Sequence, residues 1–264
     1  MGLVRGMVAA GAWRRRGGYA GMMHDDAPPG FPIARRALLG GIACMAGGCV
    51  LSRTPRERLL YRDDFRSGLG NWLVEAERPG TIAAAGGALD VDVPAGVTLW
   101  FRQPLEGPVV IDYDVTAVSH GRPNDQVSDI NCFWMATDTR APSGDVLAVP
   151  RSGAFADYDL LKTYYAGIGG NRNTSSRFRR YVGRAGDRPL LPRHDLSAPA
   201  DLIEPNRRTH IRLIADGSTI ELQRDGRTLF HLDDPVPYTR GHFGFRTTQS
   251  HLRFENFRVL RPVT

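Results

Sequence analysis

Between residues 209 and 232 three short runs of alternating apolar and polar residues, HIRLIA, STIELQR and RTLFHL, are separated by Asp216-Gly217 and Asp225-Gly226. An Asp-Gly pair between alternating runs favours a two-residue hairpin, because both residues accept the positive φ that such turns need. Two hairpins in series make a meander, which commits the chain to an antiparallel sheet. Residues 109–118 (VVIDYDVTAV) also alternate, and 242–248 and 252–260 read as two closing strands. Helical periodicity is scarce. The expectation is one all-β domain over residues 60–264, long enough for a sizeable core. Residues 184–206, rich in Pro, Asp and Arg, are expected to form a long surface loop.

Residues 1–59 read as an export leader and linker. Arg35-Arg36 precede an apolar, glycine-rich run over 37–50, too short to span a bilayer as a mature helix. The arginine pair resembles a twin-arginine export signal. The small residues before Cys49 resemble a bacterial lipobox, which makes Cys49 the candidate for lipidation. The expected destination is the periplasm or the outer-membrane or cell surface, with a lipid anchor as the sole membrane contact. Residues 1–59 carry nine arginines against three acids, an excess equal to the +6 of the whole chain. The domain itself is therefore balanced, which argues against a nucleic-acid partner. Cys44 and Cys49 lie in the leader. Cys132 is left alone in an apolar strand, as a buried inert thiol.

The segment 158–181, YDLLKTYYAGIGGNRNTSSRFRRY, holds four tyrosines, three glycines, two asparagines and four arginines. Aromatic faces stack on sugar rings, amides read hydroxyls, and guanidinium forks pair with carboxylates. That combination points to a surface for acidic sugars. Alternation puts Arg177, Arg179 and Tyr181 on one face, and Tyr164 and Tyr165 on opposite faces. Asn171 and Asn173 follow Gly169-Gly170, where a bare backbone permits close approach. Arg246 lies opposite Phe243 and Phe245, and Asn131 lies opposite Cys132, with Trp134 on the cysteine's side.

The opening phrase with Phe65, Gly68 and Trp72, and the closing phrases with Gly241, Gly244, Phe245, Arg246 and then Phe254, Asn256, Phe257 and Val259, resemble concanavalin-A-like lectin/glucanase domains. The middle segment resembles uncharacterised bacterial families of that superfamily, some encoded near pectin and rhamnogalacturonan degradation genes. The resemblance implies an antiparallel jelly-roll β-sandwich and a polysaccharide or oligosaccharide partner. The scaffold hosts lectins, hydrolases and lyases, so the site has to decide between them. The glucanase version carries E-x-D-x-E on a strand, and this chain has no such motif. The nearest carboxylate pairs for a hydrolase are Asp112/Asp114 and Asp157/Asp159.

The lyase version needs a group to neutralise the uronate, a base for the C5 proton and an acid for the leaving oxygen. The candidates for chemistry are Tyr165, Arg179, Tyr181 and His251. Those for binding are Asn131, Trp134, Tyr164, Asn171, Asn173, Arg177 and Arg246. A non-catalytic lectin-like module is the alternative. No cofactor is expected and no spacing points to a transition metal. Asp63 or Asp64 is the candidate for a structural calcium of the kind such sandwiches often hold.

Overall fold

The meander signals become turns of two kinds. Asp225 and Gly226 both take positive φ (51° and 78°) between Arg224 and Arg227, the two-residue turn in which both central residues are left-handed. The first turn is centred one residue later than the Asp-Gly pair, on Gly217-Ser218, with Asp216 paired to Thr219. The computed structural model describes residues 56–263. The export leader and the lipidation of Cys49 lie outside the described residues.

The first half of the domain comprises β1 (Arg56–Asp63), β2 (Trp72–Ala76), β3 (Thr81–Ala85), β4 (Ala88–Val93), β5 (Val97–Phe101), β6 (Leu105–Glu106), β7 (Val109–Ala117) and β8 (Ile130–Asp138). The second comprises β9 (Leu161–Gly169), β10 (Ser175–Val182), β11 (Asp195–Leu196), β12 (Arg208–Asp216), β13 (Thr219–Arg224), β14 (Arg227–Asp233), β15 (Arg240–Thr247) and β16 (Ser250–Val263). They form two antiparallel sheets. The back sheet runs β14-β13-β12-β7-β16-β4-β3, with β1 added to β16. The front sheet runs β11-β10-β9-β8-β15-β5-β2, with β6 added to β15. This is the expected jelly-roll sandwich. Arg56 to Leu59 pair with Val263 to Leu260, so the sheet takes in four residues that the sequence assigned to the linker.

Alternation decides what the sheets bury between them. Trp72, Phe243, Phe245, Phe254 and Phe257 form one inter-sheet aromatic cluster, with Trp72 stacked on Phe245 at 5.0 Å. Each such side chain contributes about 2–3 kcal/mol by leaving water. Asn256 takes φ 56° where β16 bulges against β7, and its amide donates to Asp114 at 2.7 Å. That bulge keeps Phe254 and Phe257 both facing inward, although they are three residues apart. Cys132 is buried in this core, and burial pushes its thiol up to about 12.

The 184–206 stretch is more ordered than its composition suggests. Asp195 and Leu196 add a short edge strand to β10. His194 is buried against Phe178 and Phe230, and its Nε2 lies 2.9 Å from the His231 carbonyl. Burial lowers the pKa of His194. Burial alone would raise the carboxyls of Asp125, Asp138 and Asp234, but hydrogen bonds outweigh it and hold all three below the usual range. The donors are His120 and Arg122 amides with His251, Arg140 with Arg151, and Arg180 with Tyr164, respectively.

All these folded pKa values are depressed, so each group stabilises the fold above its unfolded value, and that contribution is lost as pH falls towards the folded value. Stability is expected to be flat between about pH 6.5 and 8, to fall in a small step below that as unfolded histidine protonates, and to fall steeply below about pH 4. Urea midpoints across pH 3–8 measure this. His194→Gln is expected to remove the first step and keep the second. A midpoint that does not fall below pH 4 would refute the carboxylate assignment.

Candidate functional site

Cross-strand register gathers the front-sheet residues into rows on the face turned away from the core. Arg177 pairs with Gly167, Gly167 with Asn131, Asn131 with Arg246, and Arg246 with Thr98. The next row is Arg179, Tyr165, Phe133, Gly244 and Trp100. Four strands, β8, β9, β10 and β15, thus place Arg177, Arg179, Asn131, Tyr165 and Arg246 side by side. They line one cleft of about 710 Å³, together with Asn171. A volume of that size accommodates a ligand larger than one sugar ring.

Gly167 is the bare centre of the floor. A Cβ there would lie 3.0 Å from the Tyr165 hydroxyl and 3.3 Å from Asn131 Oδ1, so its absence lets those two polar atoms converge. Asn131 is buried, its Nδ2 donates to Asp129 Oδ1 at 3.0 Å, and its Oδ1 has no partner. A buried amide oxygen without a donor is costly unless a ligand supplies one.

The loop after β9 supplies the wall. Asn171, Arg172 and Asn173 are left-handed in succession (φ 54°, 58° and 60°), following Gly169 at 66°. Non-glycine residues hold that conformation at a cost of order 1 kcal/mol each, and it is retained here by side-chain ties. Asn173 accepts from Ile203 N and donates to Ile203 O, both at 2.8 Å. Asn171 donates to Ser175 Oγ at 3.1 Å. Asn173 therefore anchors the loop, whereas Asn171 and Arg172 border the cleft.

Among the described residues the cleft's cations divide into two sets. Arg177 pairs with Asp195 at 2.8 Å, and Arg188 pairs with Asp159. Arg172, Arg179 and Arg246 form no ion pair. Arg179 donates to the Arg188 carbonyl. Arg246, only 3% exposed, donates to Thr98 Oγ1 at 3.0 Å and to the Gly153 carbonyl at 2.9 Å. Its guanidinium lies over Tyr158 and Phe155, at 4.6 and 5.2 Å. Burial pushes the Tyr165 hydroxyl well above its ordinary value, with Tyr181 and Asp129 adding to the shift. Tyr165 is therefore a protonated phenol at neutral pH.

Five sequence candidates lie elsewhere. Trp134 and Tyr164 face the inter-sheet core, where Tyr164 donates to Asp234 at 2.7 Å. Tyr181 shares the outward face but lies beneath Tyr165 and Arg188, fully buried. Asn173 is the loop anchor just described. His251 belongs to the back sheet, where its ring bridges Asp125 and Asp90 at 3.0 and 3.1 Å, so it is not available as a base in this cleft.

The hydrolase pairs are also structural. Asp112 and Asp114 are ringed by Arg212, Arg258, Arg208 and His210 on the back sheet. Asp157 closes the Ser152 turn, and Asp159 holds Arg188 and the Gly186 amide. Asp63 accepts from Phe65 N, Asn71 Nδ2 and Trp72 Nε1 at 2.8, 3.0 and 2.9 Å, so both of its oxygens hold protein donors. Among the described residues no cluster of three His, Cys, Asp or Glu could hold a metal.

Sequence reasoning missed Asp129, Phe155, Arg172, Arg188 and Glu77, which also line the cleft. All five lie between strands, where no alternation marks a face. Arg172 alone stood inside the aromatic and arginine-rich window.

The architecture defines a class, the concanavalin-like jelly-roll sandwich. A Bacillus subtilis protein of unknown function with a galectin-like fold matches with TM-score 0.60 and 18% identity, over 80% of this chain and 99% of that one. An endo-β-1,3-glucanase from Pyrococcus furiosus matches with TM-score 0.50 and 10% identity, over 80% and 96%. At such identities the likeness is one of fold. No curated protein matches the chain in sequence. The chain belongs to DUF6250, a family described as a domain of unknown function, whose model matches residues 91–257. That span contains every cleft-bearing strand from β5 to β15.

Proposed function

We propose that the front-sheet cleft binds an acidic polysaccharide, with a uronate carboxylate at Arg246. The observation that carries this is the set of three guanidiniums that have no carboxylate partner among the described residues, Arg172, Arg179 and Arg246, around a floor of Tyr165, Gly167 and Asn131. A buried cation flanked by an aromatic ring and an unpartnered amide oxygen suits a sugar that carries one negative charge and several hydroxyls. The endo-β-1,3-glucanase built on a similar sandwich supports a saccharide ligand at the level of the scaffold. A pectin-type polymer is the finer form of this reading. Export, with an anchor at Cys49, belongs to the same reading and is supported by Arg35-Arg36 and the small residues before Cys49.

A second reading, cleavage by β-elimination, is favoured by the protonated Tyr165 hydroxyl beside Asn131. In that step a base takes the C5 proton, the C4–O bond breaks, a C4–C5 double bond forms, and Tyr165 protonates the departing oxygen. Among the described residues lining the cleft, Glu77 and Asp129 are the carboxylates, and Asp129 adjoins Asn131. Asp129 is the base this reading requires.

The test incubates the purified full chain with pectate, alginate and hyaluronate, following ultraviolet absorbance of unsaturated products and retention of protein on each polymer. Truncation at residue 60 is avoided because β1 begins at Arg56. Retention without absorbance supports binding alone. Rising absorbance that Tyr165→Phe reduces by about a hundredfold, within the usual range for a general acid, supports elimination. Neither retention nor product on any acidic polymer would sink the proposal.

A further inference from the structure

The outward face of the front sheet is not open along its length. Trp100, Phe133, Ala136, Leu161 and Tyr181 lie on it, yet all are fully buried. They are covered by the 139–160 segment, which drops Val146 and Tyr158 onto them as a second small core. Tyr158 stacks on Phe133 at 5.4 Å and Trp100 stacks on Phe133 at 5.5 Å. Past the Tyr165 row, in the direction of Tyr181, there is no floor left for a sugar.

Along the row of Arg246 the β5–β2 side of the cleft is covered by the same segment, with Glu77 and Gly96 at its margin. A Cβ on Gly153 would lie 2.4 Å from Glu77 N and 2.7 Å from the Ala76 carbonyl carbon, so this backbone sits directly against the end of β2. Thr98, next to Arg246 in the first row, is fully buried under it. Arg246 is therefore the last residue of its row that a ligand can reach. Above it, Phe155 from the 139–160 segment meets Arg188 from the 184–191 segment at 4.4 Å, which joins the two walls. The row stays uncovered in the other direction, towards Gly167 and Arg177, whose side chain is about a third exposed.

We infer that the cleft is a blind one that takes the acidic end of a saccharide chain, with the terminal carboxylate at Arg246 and the next sugars leading out past Gly167 towards Arg177. This rests on the acidic-saccharide reading above and deepens it. A polymer threading through would need floor on both sides of Arg246. The floor beyond Arg246 is Thr98 under Gly153, held by a hydrogen bond from Arg246 itself. The inference also gives the charges an order. Arg246 is buried and unpaired at the closed end, whereas Arg177 is exposed and already paired with Asp195 at the open end.

The test uses size-fractionated oligogalacturonides and oligoalginates, from dimers to about 20-mers, titrated calorimetrically into the full chain. For end recognition one protein binds per chain at every length, and dimers compete with 20-mers within about threefold on a molar basis, because only terminal units touch the floor. Several proteins per 20-mer, in proportion to its length, would overturn end recognition and leave acidic-saccharide binding intact. Absence of heat with every uronate length would instead remove the acidic-saccharide reading and this inference together.

Discussion

Arg151→Met is expected to destabilise the domain by about 3–5 kcal/mol, the cost of removing one member of a buried charge network. Arg151 is fully buried, donates to Glu75 Oε1 at 3.1 Å and pairs with Asp138. It also donates to the Val146 and Val149 carbonyls, at 3.0 and 3.1 Å. Glu75 in turn accepts from Trp100 Nε1 at 2.9 Å and from the Tyr158 hydroxyl at 2.8 Å. One guanidinium thus ties β2, the end of β8 and the 139–160 segment together. Methionine fills the space but leaves two buried carboxylates facing each other's field. Urea unfolding measures the loss, and the melting temperature should drop by roughly 2–4 °C for each kcal/mol. Adding Glu75→Gln and Asp138→Asn to Arg151→Met should recover part of the loss, because the uncompensated charges disappear. A loss below about 1 kcal/mol in the single variant, small by the standard of buried pairs, would mean that the network is solvated rather than buried.

That network shows where sequence legibility ends. Strands were legible because alternation marks 109–118, 209–232 and 242–260, interrupted in the last at the Asn256 bulge. The same alternation put Arg177, Arg179, Tyr165, Arg246 and Asn131 on faces that register then aligned. Each strand alone says which side a residue takes, and the cleft follows once the strands pair. Tyr181 shows the limit of that logic. It shares a face with Arg177 and Arg179, but a second core covers its end of the strand, and nothing in β10 announces a roof. His251 shows another limit, because the carboxylates that hold it come from β4 and from residue 125, far apart in sequence. Arg151, in a loop of small and polar residues, carries no periodic signal at all. Its role exists only after Glu75 and Asp138 have been brought to it by the sheets.

Arg246→Met is expected to weaken uronate binding by on the order of 100-fold, since truncating one member of a buried, hydrogen-bonded charge pair costs about 2–5 kcal/mol and each 1.4 kcal/mol is tenfold. Two of its hydrogen bonds go to neutral oxygens, Thr98 Oγ1 and the Gly153 carbonyl, and among the described residues no carboxylate lies within 4 Å. A bound uronate would complete the pair, so the binding energy resides in a contact the free protein lacks. Arg246→Lys keeps the charge but loses the planar fork, and an intermediate loss of about tenfold follows from the difference between bidentate and point-charge pairing. Arg177→Met is the matched control. Arg177 is partly exposed and already paired with Asp195, so its removal should cost less than about fivefold, in line with exposed pairs. Salt should weaken the Arg177 contribution further and leave the Arg246 contribution largely intact, because screening acts on exposed charges. The melting temperature of Arg246→Met should move far less than that of Arg151→Met, since no buried carboxylate is left behind. Equal losses from Arg246→Met and Arg177→Met would place the carboxylate at the open end of the cleft, and the buried, unpaired guanidinium would then have no ligand to explain it.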